Sequence, residues 1–423
     1  MKVYKFGGGS LKDSDSIKNL VNILKTQADL PLVVVISALG KTTNALEELT
    51  NAYLRHPEKI ASSLKPIKEY HFEILKELFP SDHTIFKKMI ALFDELENQL
   101  QNNPSPSNSY DYEYDQIVSY GELFSTVMIS NYLNDRGIKN KWFDARELIQ
   151  TDNTYREGRI TWDITQQQII KILKPFVTNN DSIAITQGFI GNSENNKSIT
   201  LGREGSDYSA AIIAYAMDAS EVTIWKDVPG LLNADPKYFK ETLKLDQISY
   251  HEAIELAYYG ATIIHPKTIK PLQNKQIPLK VKSFEHPEKP GSLIYCDTIS
   301  DSIKPSYIFK KDQVLISVSP HDFSFIAEEN LGYIFQKLAA YRIKVNMMQN
   351  SAISFSVCVD NSNNMTTSFI KDLQKNFSVR YNKQLELITI RHYDQETINK
   401  VVGRRKIILE QKSRSTVQLV LEG

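Results

Sequence analysis

Apolar residues change their spacing several times along this chain, and each change marks an element. Val3 to Phe6 is an apolar run of the length of a buried strand, and Ile17, Leu20, Val21 and Leu24 then recur at helical intervals behind Asp13 or Ser14, either of which can cap the helix. The unit repeats: LVVVIS (Leu32 to Ser37) reads as a second strand, Ala38, Leu39 and Gly40 as a turn, and helical spacing resumes at Thr42. IAITQGFIG (Ile183 to Gly191) and EVTIWKDVPG (Glu221 to Gly230) are further apolar runs ending in glycine and polar residues, with helical stretches between them. This alternation predicts an α/β sandwich on a mostly parallel sheet, with reactive residues at strand ends.

Two stretches break the alternation. Residues of about 46–115 carry charged helical text without a strand signal and predict a helical insertion, closed by QNNPSPSNSYDYEYD as a loop. After CDTISDSIKPS (Cys296 to Ser306) come short β-rich runs, QVLISVS, IKVNMM, AISFSVCV, LELITI and TVQLVL, with one amphipathic helix through Leu331, Ile334, Phe335 and Leu338. They predict a second domain, 298–423, of small α+β units on an antiparallel sheet, behind a domain spanning 1–297.

Composition narrows the function. Lys plus Arg equals Asp plus Glu at 50 each in 423 residues, so no basic footprint for nucleic acid or for an anionic membrane exists. Cys296 and Cys358 are the only cysteines, which excludes a disulfide framework and a cysteine-built zinc site. The opening MKVYKFGG lacks the long apolar stretch of a signal peptide, and no run reaches the roughly 18 apolar residues of a membrane span. A cytoplasmic protein acting on small polar molecules is expected.

Several strand ends carry candidate chemistry. Gly7, Gly8 and Gly9 lie between a strand and a helix, where bare N–H groups at the positive end of the helix dipole suit a phosphate and Lys5 adds charge; a plain tight turn with a surface lysine is the other reading. The spacing fits neither the P-loop nor the dinucleotide fingerprint. Ser37, Gly40, Thr42 and Thr43 in VVISALGKTTN either meet an oxyanion or cap the next helix. In SYGELFST, Tyr120, Leu123, Phe124, Val127 and Met128 form an apolar stripe, and Glu122 beside it is expected half-buried, facing either a substrate ammonium or an internal Lys or Arg. ITLGREGSDYSAA sets Gly202, Arg203, Gly205, Ser206 and Asp207 before an alanine-rich helix: Arg203 offers a planar fork for a carboxylate, and Asp207 caps the helix or orients reacting groups. Asp227, Asn233, Asp235 and Pro236 in WKDVPGLLNADP, with Lys237 just after it, line a nucleotide site or a surface turn. Ser249 and Glu252 form a capping box, and His265 before Pro266 reads as the stop of an element. No zinc-type spacing and no Ser-His-Asp order stands out.

Taken in order, KFGGGS, VVISALGKTTN, SYGEL, ITQGFIG, TLGREGSDYSA, WKDVPGLLNADP, LAYYGATIIHP and the β-rich tail resemble the aspartate kinase family of the amino-acid kinase superfamily, over about 290 residues. The resemblance implies a three-layer αβα sandwich followed by tandem ACT domains. It also implies transfer of the ATP γ-phosphoryl group, with Mg2+, to the side chain of L-aspartate, the entry to lysine, threonine and methionine synthesis, and a monofunctional homo-oligomer joined through the ACT-like domains. By resemblance, Lys5 stabilises the phosphoryl group in flight, Asp207 orients groups, and Glu122, Arg203, Thr43 and Ser206 hold aspartate. Phe6, Gly7, Gly8, Ser10, Ser37, Lys226, Asp227 and Lys237 fall, with Lys5, on the nucleotide side; no metal ligand from the protein is assigned. Other members of the superfamily act on glutamate or N-acetylglutamate, and a weakly catalytic amino-acid sensor is a third reading. The chain departs from the family at Gly9 for threonine in KFGGTS, Glu204 for glycine in GRGGSD, Thr262 for lysine in GAKVLHP, and Leu232 for an aromatic. In the tail, Val345, Asn346, Asn350 and Ser351 match an effector strand, but Asn346 and Ala352 stand where lysine-sensing members carry carboxylates, so an effector with a neutral side chain, such as threonine, is expected. The second ACT-like unit, from about Asn361, lacks its relatives' glycine-rich turn.

Overall fold

The computed structural model describes residues 1–101, 109–179, 182–239, 241–261, 264–299, 301, 304–322 and 324–422. They fall into two compact units: Met1–Leu231, Asp246–Ile254 and Ile263–Thr298 form the first, and Leu232–Leu245, Glu255–Thr262 and Ile299–Gly423 the second. Thr262 and the segment 102–108 lie outside the described residues.

The first unit is built on eight strands: β1 (Lys2–Phe6), β2 (Leu32–Ile36), β3 (Asn140–Phe143), β4 (Ile183–Gln187), β5 (Glu221–Lys226), β6 (Gln247–Ser249), β7 (Leu279–Ser283) and β8 (Ser292–Tyr295). Their order is β6-β8-β7-β5-β1-β2-β4-β3, and every pairing is parallel except β7 with β8. All five residues of LVVVI in β2 are buried, as a parallel strand covered on both faces requires. One face carries Tyr4, Phe6, Val34, Ile36 and Ile185 against α1 (Ser14–Gln27), α2 (Thr42–Arg55), α3 (Ile60–Leu78), α4 (Ile85–Gln101), α5 (Tyr110–Val118) and α6 (Tyr120–Asp135). The opposite layer holds α7 (Trp162–Asn179), α8 (Gly205–Ala216) and α9 (Pro266–Asn274); the alanines and isoleucines of α8 are buried close to β1, β2 and β5. This is the three-layer αβα arrangement.

Local chemistry explains the boundaries. Asp13 caps α1 in a reciprocal box with Ser16. YDYEYD, expected in a loop, is α5: Ser109 Oγ accepts from the Tyr112 N–H at 3.2 Å and starts a helix that the polar text concealed. His265 likewise starts a helix rather than stopping one, because Pro266 occupies the first turn, where its missing N–H costs nothing.

The second unit has one antiparallel sheet of β9 (Ser306–Ser319), β10 (Val345–Asn350), β11 (Phe355–Asp360), β12 (Ser378–Arg391), β13 (Ile407–Lys412) and β14 (Thr416–Glu422), ordered β10-β11-β9-β12-β14-β13. β9 and β12 pair along their 14-residue lengths, with an irregular register between Lys310 and Gln313. Gln418 Nε2 on β14 lies 3.4 Å from the Asn346 carbonyl on β10, although a flat sheet would separate these strands by about 19 Å. The sheet therefore folds back on itself at the irregularity, enclosing Leu315, Met347, Cys358, Leu385, Leu387 and Val420. α10 (Glu328–Ala340) and α11 (Asn363–Leu373) cover the outer face of one half, and α12 (Gln395–Val402) the outer face of the other. The second half does not begin near Asn361: its sheet takes Ser306–Lys310 at the start of β9, paired with Leu387–Arg391. β13, α11 and α12 were not legible as elements in the sequence.

Candidate active site

β1 lies between β2 and β5 and runs parallel to both, so the loops after these three strands open at one edge of the sheet. After β1 the chain closes a tight turn, with the Ser10 and Leu11 N–H groups donating to the Gly7 carbonyl at 3.1 and 3.0 Å. A Cβ on Gly8 would stand 2.6 Å from the Ala38 carbonyl and 2.9 Å from that of Gly40, so only glycine lets these two turns pack backbone to backbone. The Gly40 N–H donates to Leu11 O at 2.8 Å, the Ser37 N–H to Phe6 O at 3.1 Å, and Ser10 Oγ to Trp225 O at 3.3 Å, joining the three strand ends. Gly9 is different: a Cβ there would be 3.8 Å from Asp227 Oδ2, an ordinary contact, so the turn has room for the threonine of related sequences.

Behind the turn lies a nearly dry charge cluster. Lys5 Nζ is 2.6 Å from Asp207 Oδ1, and Lys226 Nζ is 3.4 Å from Asp207 Oδ2. Burial alone would push the Asp207 carboxyl up; Lys5 first, then Lys226, outweigh burial and hold it below the usual range. Lys5 is thus fixed and buried rather than a surface charge, and Asp207 sits in the first turn of α8 as a counter-ion instead of its cap, which is Glu204. Ser206 is buried against Gly188, where a Cβ would come within 2.5 Å of its side chain.

Glu122 was expected half-buried, but it is 2 % exposed on α6, with no ion pair among the described residues. Oε1 accepts from the Ala38 N–H at 3.3 Å, and Oε2 has no partner among the described residues. Burial pushes its carboxyl up to about 8, only partly countered by the Ala38 N–H and by Lys5. Arg203 is exposed, and Thr43 is half-buried in the first turn of α2. Asp227 is exposed after β5. Lys237 and Leu232 belong to the second unit, where the Lys237 N–H donates to Asp235 Oδ1 at 2.9 Å.

Other residues support this edge without having stood out in the sequence. Gln187, buried at the end of β4, accepts from the Ala145 N–H at 2.6 Å and donates to Thr126 Oγ1 at 2.9 Å, which also accepts from Trp142 Nε1 at 2.9 Å; together they pin α6, and with it Glu122. The glutamine in ITQGFIG, a polar residue inside an apolar run, was the available signal. Asp115, buried and pushed up to about 7, accepts from the Arg156 N–H at 2.8 Å and from Thr200 Oγ1 at 2.6 Å.

In the second unit the effector-strand residues separate. Asn346 points into the folded sheet, accepting from Lys310 Nζ at 2.6 Å and donating to Gln313 Oε1 at 2.8 Å and Asp360 Oδ1 at 3.0 Å. Val345 is half-buried; Asn350 and Ser351 are exposed, the latter in a turn with Ser354.

The profile of the Amino acid kinase family matches residues 1–283, two thirds of the chain. The chain belongs to that family. Within it the chain is 31 % identical over 380 residues to lysine-sensitive aspartokinase 3 of Escherichia coli, covering 86 % of this chain and 79 % of that protein. It is also 31 % identical over 372 residues to chloroplastic aspartokinase 1 of Arabidopsis thaliana, of which the match spans 63 %, and 85 % of this chain. Crystal structures of E. coli aspartokinase III, one in complex with lysine and aspartate in the T-state and one with aspartate and ADP in the R-state, each align at a TM-score of 0.83 and 26 % identity, over 100 % of this chain and 96 % of the other. The amino acid kinase fold thus covers the first unit, and the antiparallel second unit has its counterpart in the aspartokinases.

Proposed function

We infer that the protein is an aspartate kinase, which moves the γ-phosphoryl group of ATP to the side-chain carboxylate of L-aspartate and yields 4-phospho-L-aspartate. The observation that carries this reading is the buried Lys5–Asp207–Lys226 cluster behind a glycine turn, at the same sheet edge as a buried glutamate with an open oxygen. In this reading the backbone of Gly7 and Gly8 receives phosphate oxygens, with Phe6, Ser10, Ser37, Lys226 and Asp227 around the nucleotide. Lys5, held in place by Asp207, faces the charge that develops on the transferring group, so positioning and electrostatics supply the catalysis. Glu122 takes the aspartate ammonium and Arg203 its α-carboxylate, with Thr43 and Ser206 as further contacts. The side-chain carboxylate is already ionised at neutral pH and attacks without a general base.

Mg2+ arriving with ATP needs few protein ligands, since phosphate oxygens and water fill most of its shell. Asp227, exposed and with Oδ2 3.8 Å from where a Cβ on Gly9 would stand, is a carboxylate beside the glycine turn that fits such a role. The metal would offset phosphate charge there.

The wider reading includes an amino-acid effector on the second unit, work in the cytoplasm in lysine, threonine and methionine synthesis, and a homo-oligomer. The open edges β10 and β13 favour assembly by strand pairing, with Met348 and Ile407 exposed along them. No described helix is long and apolar enough to cross a membrane. Incubation with ATP, Mg2+ and single amino acids, with hydroxylamine to trap an acyl phosphate, tests the activity. Hydroxamate with aspartate alone is expected; hydroxamate with glutamate instead would overturn the substrate.

A further inference from the structure

Glu204 is the anomaly of the first unit. It has φ 53° and ψ 29°, a left-handed conformation unusual for a residue with a side chain, and it occupies the N-cap of α8 without making a side-chain capping bond. One carboxylate oxygen is satisfied by the His265 N–H, while Oε2 is buried with no partner among the described residues. Around it stand Lys226 from the end of β5, Asp207 from α8 and Arg203 from the preceding turn; Nδ1 of the His265 ring accepts from the Lys267 N–H at 3.2 Å. A strained residue with an unfinished buried oxygen, placed beside Lys226 and Arg203, is a poor structural choice, as functional residues often are.

We propose that Glu204 takes up a proton from solvent when the nucleotide phosphates enter, so that Oε2 changes from an acceptor without a donor into an O–H donor toward a phosphate oxygen. This rests on the kinase reading. Before the nucleotide arrives, Lys226 helps to keep Glu204 ionised. Phosphate oxygens then claim that lysine and bring negative charge of their own, and both changes disfavour the carboxylate. Burial already pushes this carboxyl upward, with Lys226 the largest opposing influence and Asp207 adding to the rise. One proton is gained and no bond to the phosphate is made or broken. ATP therefore binds more weakly as pH rises, by up to roughly tenfold in Kd per unit where Glu204 ionises in the nucleotide-free enzyme.

The test is calorimetry of ADP binding to the full chain at fixed Mg2+, in two buffers of different ionisation enthalpy, with wild type and Glu204→Gln side by side. ADP and Mg2+ contribute equally to both proteins, so the difference reports Glu204. Uptake approaching one proton in the wild type and absent from the variant is expected, with a flatter pH profile of the ATP KM in the variant. Equal uptake in both proteins overturns the proposal, as does weaker Mn2+ binding by the variant without a change in proton count, which would make Glu204 a ligand of the metal. If wild type binds no ADP, the kinase reading falls and takes the proposal with it. Should Glu204→Gln fold poorly, Glu204→Gly, which suits φ 53°, carries the same comparison.

Discussion

The two units each bury a polar cluster, and they treat it in opposite ways. In the second unit Lys310, Asn346, Gln313 and Asp360 satisfy one another within the folded sheet: Gln313 Nε2 reaches Asp360 Oδ1 at 2.8 Å, and Asn346 is bonded at both ends of its amide. In the first unit the cluster is left incomplete, with Glu122 Oε2 and Glu204 Oε2 both buried and without partners among the described residues. A buried polar group without a partner costs about 1–3 kcal/mol, and a protein bears that cost where a ligand completes the set. The closed cluster is a fastener; the open one fits the ligand site proposed above. Resemblance by position suggested an effector contact at Asn346, whereas its bonds show a side chain already committed.

The sharpest way to break this contrast is at Lys5. Lys5→Ala should lower kcat by on the order of a hundredfold or more, as loss of a preorganised charge at a transferring group does, while the fold survives because Lys226 still pairs with Asp207. Steady-state kinetics beside a thermal melt would check it; near-normal turnover would remove Lys5 from the reaction.

Next in size are Arg203→Ala and Glu122→Gln. Each removes a charge assigned to the amino-acid end of the site, so each should raise the aspartate KM by roughly ten- to a hundredfold and the ATP KM far less, a charge-assisted hydrogen bond being worth about 1.5–3 kcal/mol. Equal effects on the two substrates would show the assignment to be reversed.

Much of the first unit was legible because its signals are local. A parallel strand covered on both faces must be an apolar run, and a backbone approach as close as that of Gly8 to Ala38 must be glycine, so KFGGGS and VVISALG announce themselves. Glu122 was legible as a carboxylate but not as a fully buried one, because its burial depends on Gln187 and Trp142, residues distant in sequence that fix α6 through Thr126. The second unit was harder. Its strand β9 serves both halves of a sheet that folds back on itself, and no periodicity records where a strand changes partners. The commitment of Asn346 follows from that fold, since Gln313 and Asp360 reach it only across the sheet.

Asn346 gives a third, smaller test. Asn346→Ala leaves Lys310 and Asp360 short of a partner and should destabilise the protein by about 1–3 kcal/mol, read as a lowered unfolding midpoint in urea. If the cluster is a fastener, lysine should shift the apparent aspartate affinity of the wild type by less than the roughly fivefold of a genuine effector. Strong lysine inhibition that disappears in Asn346→Ala would return this residue to the effector site.

The smallest effect concerns pH, and its sign follows from Glu122. Burial raises its carboxyl to about 8 in the empty site, so near neutral pH the folded protein holds a proton that the unfolded chain has lost. That preference stabilises the fold fully below the ordinary carboxylate range and fades as pH rises through about 8. Binding of the aspartate ammonium demands the ionised form, so that proton must leave. The aspartate KM should therefore fall as pH rises, by roughly tenfold between pH 7 and 9, while Glu122→Gln flattens the profile. ATP is expected to move the other way through Glu204, so the two substrates of one site should show opposite pH slopes, each abolished by a different variant. Parallel slopes for both substrates would mean that a single group, and not the two open carboxylates, governs the site.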